Sequence, residues 1–90
     1  MTKVKVKYLG LFKTMTGVGS EEIVASSLGE LIDEVVKRHG VIKNHLYEKV
    51  GSDPSLILTY NGQNVKNIKD YEMKLKDGDE IMLMSIISGG

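Results

Sequence analysis

The stretch best placed for chemistry is SIISGG, from Ser85 to Gly90. Its side chains offer two hydroxyls, two aliphatic groups and two bare glycines. The reactive group it can present is the main-chain carboxylate of Gly90. A terminal carboxylate, with an ordinary pKa of about 3.3–3.7, is ionised at neutral pH and is a poor electrophile. It accepts a nucleophile only after gaining a leaving group, and an acyl-adenylate made from ATP is the biological route. The sequence has no GxxxxGK[ST] phosphate loop, so a partner enzyme has to perform that step. Gly89 and Gly90 suit the task, because backbone without side chains threads a narrow channel and leaves the acyl carbon open to attack. Fully extended, residues 85–90 reach at most roughly 20 Å. The competing reading is a loose domain end, where small residues commonly gather.

Other chemistry-bearing residues point elsewhere or nowhere. There is no cysteine, which removes disulfides, thiolate metal sites and thiol nucleophiles together. His39 and His45 lack cysteine or paired carboxylate neighbours, so no metal is expected, and His39 reads as a cation at a helix end. Asp77 and Asp79 flank Gly78 as turn formers rather than as an acid/base pair. Lys3, Lys5 and Lys7 recur at every second position. With twelve Lys plus Arg against twelve Asp plus Glu, they read as a solvated strand face, not a nucleic-acid patch.

The elements that must position the tail are written in the periodicity. KVKVKYL (3–9) alternates, with Val4, Val6 and Tyr8 on one face, and predicts a half-buried strand. Residues 14–20 carry Gly17 and Gly19 and predict a turn, after which EEIVA (21–25) returns as a second strand. Ser27 and Glu30 form a capping box. Leu28, Leu31, Ile32, Val35 and Val36 then make one apolar stripe, and Gly40 is the expected left-handed stop after Lys37, Arg38 and His39. Residues 41–50 predict a short second helix with Val41, Ile42, Leu46 and Val50 partly buried. SLILTY (55–60) is a strand, Asn61-Gly62 a tight turn, and residues 63–74 a brief pairing followed by a loop. Asp77-Gly78-Asp79 turns into a last strand, EIMLMS (80–85). One sheet with one main helix across a face makes an α+β domain over residues 1–84, followed by a flexible tail over 85–90. The apolar runs are too short to span a bilayer and MTKVKVK is no signal peptide, so a cytoplasmic protein is expected.

The last strand sharpens the tail's role. Ile81 and Leu83 are expected under the helix, which turns Met82 and Met84 the other way. Met84, Ile86 and Ile87 then form a partner-docking patch beside Ser88, or else pack on the neighbouring sheet surface. Phe12, in the loop after the first strand, joins that patch or the core.

LKDGDEIMLMSIISGG (75–90) resembles the C-terminal signature of the MoaD family, the small subunit of molybdopterin synthase, and more loosely ThiS, the thiamine sulfur carrier. VKVKYLGLFKTMTG (4–17), SLGELIDEVVKRHG and LTYNGQNV (58–65) resemble further parts of MoaD in the same order. The resemblance implies a ubiquitin-like β-grasp fold with first and last strands adjacent in the centre. It also implies a non-catalytic carrier with no bound cofactor. In that family a MoeB-like enzyme adenylates the terminal glycine, here Gly90, and a sulfur donor converts it to a thiocarboxylate. The tail then enters a MoaE-like large subunit that builds the dithiolene of molybdopterin for the molybdenum cofactor. Three alternatives stand beside this reading: a ThiS-like carrier for another pathway, a ubiquitin-like modifier joined to lysines through Gly90, and a non-covalent β-grasp interaction module with incidental glycines.

Overall fold

A computed structural model describes residues 2–43, 56–65 and 72–85. The expected burial of Leu46 and Val50, the role of His45 and the placement of Ile86, Ile87, Ser88, Gly89 and Gly90 lie outside the described residues.

Strand β1 (Lys3–Gly10) buries Val4, Val6 and Tyr8 completely and turns its lysines outward, as the alternation dictates. It does not run into a simple loop. Gly10 adopts φ 60, ψ −132, a backbone shape reserved in practice for glycine, and turns the chain directly into helix α1 (Leu11–Thr16). The six-residue helix ends at the left-handed Gly17, whose N–H donates to Lys13 O at 2.9 Å. The Thr16 hydroxyl donates to Phe12 O at 2.8 Å and ties the last turn back on itself. Phe12, at 1% exposure, fills the core, so it belongs to no docking patch.

Strand β2 (Ser20–Val24) returns antiparallel to β1, with Val4 opposite Ile23. Helix α2 (Leu28–Arg38) follows. Ser27 Oγ accepts from Glu30 N–H at 3.2 Å, as a capping box requires. The return arm closes one residue earlier than expected: Glu30 Oε2 accepts from the N–H of Ser26 at 2.9 Å and from its hydroxyl at 2.6 Å. These bonds hold the Glu30 carboxyl below its ordinary range. Leu28, Leu31, Ile32 and Val35 are fully buried against the sheet. At the far end the helix stops at His39 (φ −133, ψ 70), and Gly40 opens a 3-10 turn (Gly40–Ile42) instead of a left-handed cap. That turn carries Ile42 into the core and leaves Val41 61% exposed, contrary to the expected partial burial.

Strand β3 (Leu56–Tyr60) and the two-residue β4 (Gln63–Asn64) are joined by Asn61-Gly62. Positive φ at both residues, 48 and 89, is the hairpin turn whose twist matches the strands. Strand β5 (Glu80–Ser85) takes the centre of a five-stranded sheet of order β2-β1-β5-β3-β4. It lies parallel to β1 and antiparallel to β3. The fold is thus a mixed, ubiquitin-like β-grasp sheet with α2 across one face and α1 added between the first two strands. Strand β5 also claims Ser85, the first residue assigned to the tail.

Candidate functional site

The site begins where β5 ends, because the chain continues from there into residues 86–90. Its direction is fixed at the start of the strand by Asp79, only 8% exposed. One carboxylate oxygen accepts from Tyr60 Oη at 2.6 Å and Lys76 N–H at 2.7 Å, and the other accepts from Asn61 Nδ2 at 3.1 Å. The Tyr60 bond and the others outweigh the cost of burial and hold the Asp79 carboxyl below the ordinary range, while the same bond raises Tyr60. Asn61 completes the tie by accepting from Glu80 N–H at 2.8 Å. The turn before β5 and the turn after β3 are thereby one hydrogen-bonded unit. Asp79 is more than a turn former. The sequence signal for this was present in Asn61 and Asp79, but nothing local shows that the two turns meet.

From that anchor β5 alternates. Ile81 and Leu83 have no exposure and belong to the same core cluster as the inward residues of α2, whereas Met82 and Met84 are half-buried on the opposite, open face. The register sets Met84 between Leu9 of β1 and Ile57 of β3, and Met82 between Lys7 and Thr59. Leu9 is 40% exposed and Ile57 half-buried. A three-strand apolar row therefore crosses the open face beside Ser85, which pairs with Gly10. Of the expected docking residues, Met84 stands in this row. Leu9 and Ile57 are additions that only the non-local pairing could reveal.

Away from the row the open face is charged. Lys7 Nζ lies 3.3 Å from Glu80 and Lys3 Nζ 3.8 Å from Glu22, both as exposed pairs. A concavity lined by Lys3, Lys5, Ser20, Glu22 and Asp77 lies by the first half of β1, away from Ser85. Its charges are mixed and it takes no part in positioning β5's end.

A second carboxylate, partly buried, braces the covered face. Glu21, on β2, has one oxygen accepting from Tyr8 Oη at 2.7 Å and within 2.6 Å of His39 Nε2. Its other oxygen accepts from Arg38 Nη1 at 2.9 Å. Burial alone would push Glu21 up, but the Tyr8, His39 and Arg38 bonds outweigh it and hold the carboxyl low. Tyr8 is pushed well above the ordinary tyrosine range, first by burial and then by Glu21. His39 is thus a partner of Glu21 and packs edge-on against Tyr8 at 5.6 Å between ring centroids. Among the described residues no group of three or more His, Cys, Asp or Glu is arranged to hold a metal ion. No helix among them is long and apolar enough to cross a membrane.

A model of the ThiS family matches residues 6–90, which include the last strand and the final glycines. The chain belongs to the ThiS family. Among solved structures, the Pyrococcus furiosus protein described as molybdopterin converting factor subunit 1 is 32% identical. The alignment covers 97% of this chain and 100% of that one, with a TM-score of 0.79. A chain of the complex of subunits 1 and 2 of the molybdopterin-converting factor from Helicobacter pylori is 25% identical over 99% of this chain and 100% of that one, with a TM-score of 0.66. The small archaeal modifier protein 1 of Methanosarcina acetivorans gives a TM-score of 0.81 at 24% identity, covering 100% and 98%, a likeness of fold. No curated protein matches the chain. This ThiS-family chain is a small protein of ubiquitin-like fold, of the class that holds ThiS- and MoaD-type sulfur carriers.

Proposed function

We propose that this protein is a sulfur carrier and the small, non-catalytic subunit of a molybdopterin synthase. The observation that carries the proposal is the apolar row of Leu9, Met84 and Ile57 beside Ser85. A partner seated on that row is positioned to receive the residues that follow β5. Support for the pathway comes from the 32% identity to the Pyrococcus furiosus subunit 1 and from the likeness to a chain solved together with a subunit 2.

The chemistry follows from the terminal carboxylate. A MoeB-like adenylating enzyme docks on the open face, and a Gly90 carboxylate oxygen attacks the α-phosphorus of ATP. Pyrophosphate leaves, and the mixed anhydride now has AMP as its leaving group. The sulfur of a persulfide donor attacks the acyl carbon and AMP departs. A second thiol then attacks the donor's own sulfur, so that the sulfur–sulfur bond breaks, the donor leaves as a disulfide with that thiol, and Gly90 keeps a thiocarboxylate. The loaded chain then delivers sulfur to a pterin precursor in a MoaE-like large subunit, which supplies the catalytic side chains. Gly89 keeps the approach slim, and Ile86, Ile87 and Ser88 contact the partner channel.

Incubation with ATP, an adenylating partner and a sulfur donor should add the mass of one oxygen-for-sulfur exchange to the intact chain. Deleting Gly90 should abolish that gain and leave the thermal transition unchanged. Persistence of the gain after deletion overturns the assignment. Covalent adducts that survive denaturant and reductant, with no thiocarboxylate, would instead make the protein a modifier. A loaded chain that gives no molybdopterin with a large subunit would make it a carrier for another sulfur pathway.

A further inference from the structure

The Asn61-Gly62 turn carries chemistry as well as conformation. The sequence has four asparagines, and Asn61 alone is followed by glycine. Both residues of the pair are exposed, so water reaches them. No other segment stands within 4 Å of the place a Cβ would take on Gly62, so that side of the residue is open. The Asn61 amide, in contrast, is held at both ends. Its Nδ2 donates to Asp79 Oδ1 at 3.1 Å, and its Oδ1 accepts from Glu80 N–H at 2.8 Å. The Asn61 N–H donates to Glu80 O at 2.8 Å, so the main chain is tied to β5 as well.

We infer that Asn61 is a deamidation site that the fold holds shut, and that its hydrolysis unfastens the start of β5. In the step itself the Gly62 main-chain nitrogen, its proton taken by hydroxide, attacks Asn61 Cγ. The bond from Cγ to Nδ2 breaks, Nδ2 takes up a proton from water, and ammonia leaves a cyclic succinimide behind. Water then opens the ring. Cleavage at Cγ gives aspartate, and cleavage at the Asn61 main-chain carbonyl gives isoaspartate, whose main chain runs through the side chain. Over both steps one water is consumed and one ammonia is released, with no change of oxidation state.

Ring closure needs rotation about the Cα–Cβ and Cα–C bonds of Asn61. The first rotation breaks the bonds to Asp79 and Glu80, and the second opens the hairpin turn held at positive φ. The product fits the site worse than the amide does. A carboxylate at 61 still accepts from Glu80 N–H, but its second oxygen stands where Nδ2 was, 3.1 Å from Asp79 Oδ1. Two carboxylates then face each other with no proton donor between them. Isoaspartate also lengthens the main chain within the turn. Exchanging the two groups removes the conflict. An amide at 79 keeps its oxygen for Tyr60 Oη and Lys76 N–H and turns its nitrogen to a carboxylate at 61.

The test uses the full chain at mildly alkaline pH, below its thermal transition, with ammonia release and peptide mapping as readouts. Position 61 should convert at least about tenfold faster in the guanidinium-unfolded chain than in the folded one. Asp79→Ala should raise the folded rate about tenfold. Leu31→Ala, which weakens the core and spares the clamp, should raise it less. For the product, Asn61→Asp should raise the unfolding constant about tenfold or more, and Asn61→Asp combined with Asp79→Asn should recover most of that loss. This second pair of measurements stands even if Asp79→Ala does not fold. Equal conversion of folded and unfolded chains, or equal effects of Asp79→Ala and Leu31→Ala, overturns the closed site. An Asn61→Asp chain as stable as wild type, or one that Asp79→Asn does not rescue, overturns the unfastening of β5.

Discussion

The two faces of the sheet share β1, β5 and β3 yet obey different rules. On the covered face Val6, Tyr8, Ile81 and Leu83 have no exposure, and the polar groups that stray inside are fully bonded at Glu21. On the open face the same strands present Leu9, Met82, Met84 and Ile57 only partly covered, next to lysines paired with glutamates. Period two makes the two faces nearly independent, so one face can be held by packing while the other is free to meet a partner. Close packing and partial exposure are written into the same strands on alternate letters.

Neighbouring substitutions on β5 give the largest contrast. Leu83→Ala removes a fully buried side chain and should cost about 2–5 kcal/mol in urea or thermal unfolding. Met84→Ala, one residue away, should lower stability by less than about 1 kcal/mol and, under the proposed function, act mainly on binding to the adenylating enzyme. Equal losses of stability would mean that the open face is packed like the covered one.

A smaller effect is expected where a charge is placed on the covered side. Glu21→Gln leaves Arg38 and His39 with a neutral partner and should cost about 1–3 kcal/mol by calorimetry at neutral pH. The same carboxylate and Asp79 both titrate below their ordinary ranges in the folded chain. Their contribution is therefore fully present above the unfolded carboxylate values and is lost as pH falls through the lower, folded ones. Stability of the wild type should drop as pH falls below about 4, and Glu21→Gln combined with Asp79→Asn should flatten that slope. An unchanged slope would remove both carboxylates from the account.

The smallest effect belongs to the open face's charges. Lys7→Ala breaks an exposed pair with Glu80 and should shift unfolding free energy by no more than about 0.5 kcal/mol. A larger loss would show that the charged half of this face is structural.

Local patterns gave the sequence its legible part. The alternation of KVKVKYL, the Ser27 and Glu30 pair with its apolar stripe, and Asn61-Gly62 each settle their own conformation within a few residues. Helix α1 was harder to see, because six residues between glycines show only Phe12 and Met15 as inward marks, too few for a period. Gly40 misled for a related reason: the pull that shapes the end of α2 comes from burial of Ile42 and from Glu21, eighteen positions before His39. At the candidate site, Met84 was visible from alternation alone. Leu9 and Ile57 were not, since their placement beside it depends on β5 entering between two strands distant in the chain. The residues after Ser85 were read from their chemistry, and the apolar row from the fold.

The central position of β5 also governs the order of assembly. Lys5 bonds through its N–H to Asp79 O, and β1 has no inner neighbour until residues 80–85 arrive. Such long-range pairing gives the fold a high contact order, and with it a slow closure step relative to helical domains of similar size. A nascent chain lacking β5 would hold the hairpin β1–β2 and the helix α2 but leave an open strand edge on each side of a gap, a surface suited to chaperones and prone to aggregation. The residues that follow β5 can be presented on a finished sheet only after that gap is filled. Under the proposed function, folding and readiness to be activated would then be completed by the same strand.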